Sequence, residues 1–91
     1  MIVFEELDTL LTNFSKFLKT KNEKYGNSTL EPVGVFSEGN PNLLLLVRID
    51  DKLSKIKSST DIRKNDVIDL IGYLILYMLY KGWTDFEELI D

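Results

Sequence analysis

Two pairs of aspartates could do chemistry in this chain. Asp50 and Asp51 are adjacent, and Asp66 and Asp69 lie three residues apart, at the front of a mostly apolar segment. Carboxylates avoid buried faces unless they are paired or bound to a cation. Mg²⁺ prefers oxygen ligands and usually keeps several waters, so a few carboxylates and the phosphates of a substrate are enough to hold it. The pattern indicates magnesium ligands at Asp66 and Asp69, with one or two more from Asp50 and Asp51.

Two other interpretations of Asp66 and Asp69 stay open. Acids in the first turn of a helix are favoured by the helix dipole and can remain solvated there. An acidic cluster can also be an ion-pair network, in which the two carboxylates pair with Arg48, Lys52 or Arg63. Both alternatives explain the spacing without a metal.

Composition excludes several kinds of site. The chain has 91 residues and contains neither cysteine nor histidine, which excludes disulfides, zinc held by thiolate or imidazole, and Ser-His-Asp or Cys-His catalysis. A chain of this length forms one small domain. The first residues lack a signal-peptide pattern, and the longest apolar run is too short and too rich in tyrosine to cross a bilayer. We expect a soluble cytoplasmic protein.

Charge is distributed unevenly along the chain. The net charge is −4, which argues against a protein that binds nucleic acid mainly through phosphates. However, ten of the 11 basic residues lie between Lys16 and Lys64. This basic middle could face the phosphates of a small ligand, although for most of these lysines taken singly a solvated helix surface is the better explanation.

Apolar spacing predicts a first helix over residues 3–25. Acids occupy its first turns and lysines its last, as the helix dipole favours, and Gly26 suits the left-handed position after its end. The predicted core face consists of Phe4, Leu7, Leu10, Leu11, Phe14, Phe17 and Leu18. The connection that follows, up to residue 42, carries three glycines and both prolines; it either lines a site or covers the edge of the core.

The second helix should begin with Asn40 as its N-cap and Pro41 as its first residue, and run to about Lys57. Its predicted core face consists of Leu45, Leu46, Ile49, Leu53 and Ile56.

The third helix should run from about Asp61 to Tyr80, capped by Thr60 or Asp61. Gly82 lies just past its end, and Gly72 offers a point of close helix approach. This helix is apolar nearly all round, which predicts burial against the other helices and a partner subunit. On its wheel, one stripe carries Asp66, Asp69, Tyr73, Tyr77 and Tyr80.

The sequence TDFE, residues 84–87, predicts a capping box for a short last helix. No strand pattern competes with the helical pattern. The fold class is therefore all-α, a small bundle of three main helices plus a short C-terminal helix, and we expect a homo-oligomer, a dimer or a tetramer.

Two coupled blocks, RIDDKLSKIKSS and RKNDVIDLIGYL, are preceded by KNEKYGNSTLEPVGVFS and closed by KGWTDFEELID. Over residues 14–91 this arrangement resembles the phage and bacterial family called nucleotide modification associated domain 1. That family is similar in turn to the all-α nucleoside triphosphate pyrophosphatases of MazG and dimeric dUTPase type. The resemblance implies a MazG-like bundle that is completed by oligomerisation.

The related enzymes cleave nucleoside triphosphates to monophosphate and pyrophosphate, with magnesium held by Glu-Glu-x-x-Glu on one helix and Glu-x-x-Asp on the next. Asp50 and Asp51 match the paired acids, and Asp66 and Asp69 match the second motif. Ser54 stands where the third acid should be. Lys52 and Lys55 bring positive charge close by and could neutralise phosphate in place of a metal.

The resemblance implies a magnesium-dependent pyrophosphohydrolase. Asp51, Asp66 and Asp69 would be metal ligands, and Asp50 or Asp51 would serve as a ligand or as the base that orients the water. The predicted nucleotide contacts are Lys21, Lys24, Tyr25, Arg48, Lys52, Lys55 and Tyr73. The alternative is a phage protein without turnover, which sequesters a nucleotide such as a signalling one, or inhibits a host protein.

Overall fold

The computed structural model describes residues 1–25 and 41–90. Three helices account for most of these residues: α1 (Phe4–Tyr25), α2 (Pro41–Ser58) and α3 (Lys64–Lys81). No strand occurs in this part of the chain, so the predicted all-α class is confirmed. The predicted N-cap Asn40 lies outside the described ranges. The predicted connection lies outside them too, except for residues 41 and 42. Within those ranges, no helix combines the length and the hydropathy that crossing a bilayer requires.

Helices α2 and α3 pack side by side in opposite directions. Leu45, at 0% exposure, is the most deeply buried apolar side chain of the described residues. Ile49, Lys52 and Ile56 continue its face and are partly buried, at the spacing of four, three and four that one face of a helix requires. The chain therefore places a lysine in the middle of its main helix interface.

The prediction that Leu46 and Leu53 belong to the core face of α2 is wrong. Both are exposed, at 44% and 49%. Each follows directly after a residue of the packed face, and a helix turns by about 100° per residue, so both point away from α3. The sequence pattern was ambiguous because α2 is apolar on more than one side.

Helix α1 packs through only part of its predicted face. Phe14 is buried, and its ring meets that of Phe17 edge to face with centroids 5.8 Å apart. Leu18 is partly buried. The other members of the predicted core face, Phe4, Leu7, Leu10, Leu11 and Phe17, are exposed. Burial on α1 therefore begins at its middle, with Phe14, and the turns before it are exposed.

Helix α3 starts later than predicted. Its N-cap is Arg63, in an extended conformation and without a side-chain cap hydrogen bond, so the predicted caps Thr60 and Asp61 are wrong. The hydroxyls of Ser58 and Ser59 both donate to the Lys55 carbonyl at the end of α2. Because α2 ends at Ser58, the residues between it and Lys64 reverse the direction of the chain before α3 begins.

The end of α3 is as predicted. Gly82 has φ 76° and ψ 20°, the left-handed conformation that glycine adopts without strain. Its N–H donates to the Leu79 carbonyl, and the Trp83 N–H donates to the Met78 carbonyl at 2.9 Å. These two bonds form a Schellman motif, which satisfies carbonyls that the helix leaves without partners.

The predicted C-terminal helix is reduced to a single 3₁₀ turn, Glu87–Leu89. Its N-cap is Phe86 and makes no side-chain cap hydrogen bond, so the Thr84–Glu87 capping box does not form. So short a segment needs tertiary packing to stay helical, and Phe86 and Leu89 are exposed. Capping residues alone do not sustain the helix.

Gly72 is the point of close approach between α3 and α1, as predicted. The glycine is buried, and a Cβ built on it would lie 3.3 Å from Cδ2 of Leu18. That separation is shorter than a relaxed carbon–carbon contact. The absence of a side chain at Gly72 therefore lets Leu18 lie against the backbone of α3.

We expect Gly72→Ala to change the free energy of unfolding by less than about 0.5 kcal/mol. Its gain in helix propensity, about 1 kcal/mol, is offset by displacement of the flexible end of Leu18. Gly72→Val should overpack the contact and cost about 1–3 kcal/mol. Urea denaturation measures both, with Ser54→Val at an exposed position of α2 as the control. Equal effects of the two valine substitutions would contradict the close approach.

Candidate functional site

Asp66 and Asp69 lie in the first two turns of α3, on the side that faces α2. Asp66 is buried, with its side chain only 9% exposed, and the Asp69 side chain is 24% exposed. Three residues span most of one helical turn, so the two carboxylates share a face. The solvated first turn, one of the open interpretations, does not describe these carboxylates.

The ammonium of Lys52 lies between the two carboxylates. Its Nζ donates a hydrogen bond to Oδ1 of Asp66 at 3.1 Å and lies 2.9 Å from Oδ2 of Asp69. The Lys52 side chain is itself only 14% exposed. A lysine has the reach to span two helices, because its charge sits at the end of a four-carbon stem. This triad, Asp66–Lys52–Asp69, is a partly buried ion-pair network that joins α2 to α3.

The triad changes the proton affinity of its lysine. The hydrogen bond to Asp69 raises the pKa of Lys52 above its ordinary value, and the bond to Asp66 and the charge of both carboxylates act in the same direction. Burial opposes this shift because it disfavours the charged form. Pairing outweighs burial, so Lys52 holds its proton firmly at neutral pH.

Two further cations border the triad. Nζ of Lys21, on α1, lies 3.9 Å from Oδ1 of Asp69 and 5.4 Å from the centroid of the Phe17 ring. Arg48, one turn before Lys52 on α2, places its guanidinium 5.9 Å from the centroid of the Tyr73 ring on α3. All three helices therefore contribute to one polar surface, which we call the Lys52 cluster: Lys21, Arg48, Lys52, Asp66, Asp69 and Tyr73.

The structure does not bring Asp50 or Asp51 to the other two aspartates. Both are exposed on α2, as are Ser54 and Lys55. Among the described residues, no group of three or more acidic side chains is arranged to hold a metal ion. The two carboxylates on α3 instead hold an ammonium, at the place where the resemblance implies Mg²⁺.

Of the predicted nucleotide contacts, Lys21, Arg48, Lys52 and Tyr73 come together and Lys55 does not. The side chains of Lys24 and Tyr25 lie outside the described residues. The sequence predicts no role for Asn42, whose Oδ1 is buried near the start of α2 and has no hydrogen-bond partner among the described residues. Its only signal was a polar residue next to a run of four leucines.

The fold and the site define a small all-α protein whose helices are joined by a partly buried ion-pair cluster. In comparisons with protein-family models, with characterised proteins and with solved structures, nothing matches this chain. The resemblance to the nucleotide modification associated domain therefore stays a prediction.

Lys52→Met should destabilise the fold by about 1–3 kcal/mol, because removal of one partner from a partly buried network leaves the charge of Asp66 without its cation. Methionine keeps the length and apolar stem of the side chain, so packing changes little. Lys55→Met, at an exposed position of the same helix, is the matched control and should stay within about 0.5 kcal/mol. Chemical denaturation measures both variants, and equal small losses would show that the triad does not stabilise the fold.

The contribution of Lys52 should be lost at alkaline pH. Its pKa is raised in the folded state, so the stabilisation is complete below the unfolded-state pKa of about 10.4 and declines as pH rises towards the folded-state pKa. We expect the stability difference between wild type and Lys52→Met to be constant from about pH 7 to 9 and smaller near pH 11. Taking the difference between the two proteins removes the contribution of the other titrating lysines and tyrosines to stability, because both proteins share it. A difference that is unchanged at pH 11 would contradict the raised pKa.

Proposed function

We propose that this chain is a cytoplasmic nucleotide-binding protein of MazG-like helical type, which acts as a homo-oligomer and binds its nucleotide without hydrolysing it. The observation that carries the proposal is the ammonium of Lys52, within hydrogen-bond distance of both Asp66 and Asp69. It stands between the carboxylates that the resemblance assigns to magnesium.

The charges of the Lys52 cluster support an anionic ligand. Two carboxylates are opposed by three cations, Lys21, Arg48 and Lys52. A phosphate that approaches the cluster therefore does not meet the repulsion that two unpaired carboxylates would exert. Lys52 itself is committed to Asp66 and Asp69, so direct phosphate contacts fall to Lys21 and Arg48.

Arg48 and Tyr73 support recognition of a nucleotide rather than of a simple anion. A guanidinium presents a planar set of donors that matches two phosphate oxygens at once. The Tyr73 ring that lies under it is partly exposed, and such a ring can stack on a base. A phosphate contact and a stacking surface thus occur side by side, one turn along α2 and α3 from the triad.

The absence of turnover follows from what an ammonium can do. Magnesium lowers the pKa of a bound water and keeps an open coordination position for it. An ammonium neutralises charge but offers neither property. With Lys52 hydrogen-bonded in this position, and no third acidic side chain of the described residues grouped with Asp66 and Asp69, the cluster supports binding and not metal-assisted hydrolysis.

Self-association is supported by the apolar surface of the helices. Large apolar side chains are exposed on each of them, including Leu11 on α1, Val47 on α2 and Leu74 on α3. Phe14 and Leu45 are the only buried hydrophobic side chains among the described residues. A small domain needs either a larger apolar core than these two side chains or a partner that covers its apolar surface. A second copy of the chain would provide such a cover.

We expect isothermal titration calorimetry to detect binding of a nucleoside triphosphate, drawn from a panel of purine and pyrimidine nucleotides, in the presence of chelator. Arg48→Ala should weaken the affinity about tenfold or more, the size of one lost charge-assisted hydrogen bond. The control is Lys57→Ala, which removes an exposed cation from the last turn of the same helix.

Magnesium separates this proposal from the catalytic alternative. Under the proposal, magnesium neither raises the melting temperature of wild type nor leads to release of pyrophosphate from bound nucleotide. If Asp69 is a metal ligand, magnesium should stabilise wild type by mass action and should not stabilise Asp69→Asn. That result, or pyrophosphate release, would contradict the proposal in favour of the hydrolase. Absence of binding to every nucleotide would overturn both.

A further inference from the structure

We infer that Asp69 competes with the ligand phosphate for Lys21, so that binding transfers the Lys21 ammonium from the carboxylate to the ligand. The two oxygens of Asp69 face cations from different helices. Oδ2 lies 2.9 Å from Nζ of Lys52 on α2, and Oδ1 lies 3.9 Å from Nζ of Lys21 on α1. A phosphate likewise presents several oxygens to the cations around it. The carboxylate thus makes, with Lys21, the contact that a phosphate at this place would need.

The two contacts of Asp69 differ in strength. The contact with Lys52 is short, and the Lys52 side chain is only 14% exposed and also donates to Asp66. The Lys21 nitrogen lies 3.9 Å from the carboxylate, beyond the length of a hydrogen bond, and its side chain is 50% exposed. An exposed pair is weak because water and salt screen it. A ligand can therefore take Lys21 from Asp69 while Lys52 stays in place.

A phosphate at this place gains more than Asp69 loses. Lys21 reaches the cluster from α1, and Arg48 of α2 lies over Tyr73, one turn after Asp69 on α3. The phosphate meets two cations from different helices, whereas Asp69 gives up one weak contact. An anion that meets Lys21 alone only replaces that contact, and the carboxylate repels it. Asp69 thus makes binding depend on Arg48 as well as on Lys21.

This inference rests on the proposed function, because it concerns the same ligand. Isothermal titration calorimetry in the presence of chelator tests it with a nucleoside triphosphate from the panel above. Asp69→Asn keeps the shape of the side chain and removes its charge, so the affinity should rise about fivefold or more. Asp61→Asn removes the same charge from an exposed position and should leave the Kd within about twofold. Circular dichroism verifies that both variants keep their helical content.

The sign of the effect separates competition from a structural role. A residue that only supports the fold would lose affinity when it is replaced, and so would a magnesium ligand when the metal is present. A gain for Asp69→Asn therefore supports the inference. An unchanged or weaker affinity, with wild type still binding, overturns it and leaves the proposed function standing. Absence of binding to every nucleotide by wild type and by Asp69→Asn overturns both.

A double-mutant cycle tests whether Asp69 acts through Lys21. Lys21→Met itself should weaken binding, because it removes a phosphate contact. In that background Asp69→Asn should raise the affinity by only about twofold or less, since the lysine that the carboxylate competes for is gone. A smaller gain than in wild type supports the inference. An equal gain in both backgrounds overturns it, because the carboxylate would then act by general repulsion alone.

Nuclear magnetic resonance of the unsubstituted chain tests the same transfer without relying on a variant that must fold. The side-chain carboxyls of aspartate are labelled with ¹³C, and the chain is saturated with the nucleotide. The Asp69 signal should move, because its carboxylate loses the Lys21 ammonium. The Asp66 signal should stay nearly in place, because its partner Lys52 does not move. An Asp69 signal that stays in place while the nucleotide binds overturns the inference.

Discussion

The placement of one buried and one partly buried carboxylate between helices is the constraint on which the rest of this structure depends. Asp66 and Asp69 face α2, where an isolated charge is strongly disfavoured. A cation must meet them, and α2, which packs beside them, supplies Lys52 to both. Lys52 is that cation, and its pairing with both carboxylates fixes the rotation of α2 about its own axis. The face that packs on α3 is then the one that contains Leu45, Ile49 and Ile56.

The rotation set by Lys52 determines which acids of α2 can join the cluster. Asp51 is one residue from Lys52 and Asp50 two, so they lie about 100° and 200° around the helix from it. Neither can point at α3 while Lys52 does. Both are exposed, as this geometry requires. A shared metal site and the Lys52 triad are therefore alternative packings of the same two helices, and the described packing is the triad.

Some of these features could be predicted from sequence and others could not. The three helices, Gly72 and the glycine cap at Gly82 follow from local signals: apolar period, absence of Cβ and left-handed backbone. Leu45, Ile49 and Ile56 of the packed face of α2 follow from its apolar spacing. The exposure of Leu46 and Leu53 could not be predicted, since apolar residues cover more than one side of α2 and tertiary contacts choose between them. Pairing of Lys52 with the two aspartates was one of three open interpretations. Sequence alone could not decide among them, because the choice depends on the rotation of α2.

The described residues combine a small apolar core with an ion-pair network between α2 and α3, and the two have different roles. A buried ion pair contributes little net stability compared with apolar packing, because desolvation offsets most of its attraction, yet it permits only one register between two helices. Apolar contact is less selective and is left for the helix surfaces, Leu11 and its neighbours on α1 among them. An oligomer of this kind would gain its stability from association, while the Lys52 triad keeps α2 and α3 in the arrangement that positions Arg48 over Tyr73. Loss of the triad should then displace Arg48 from Tyr73.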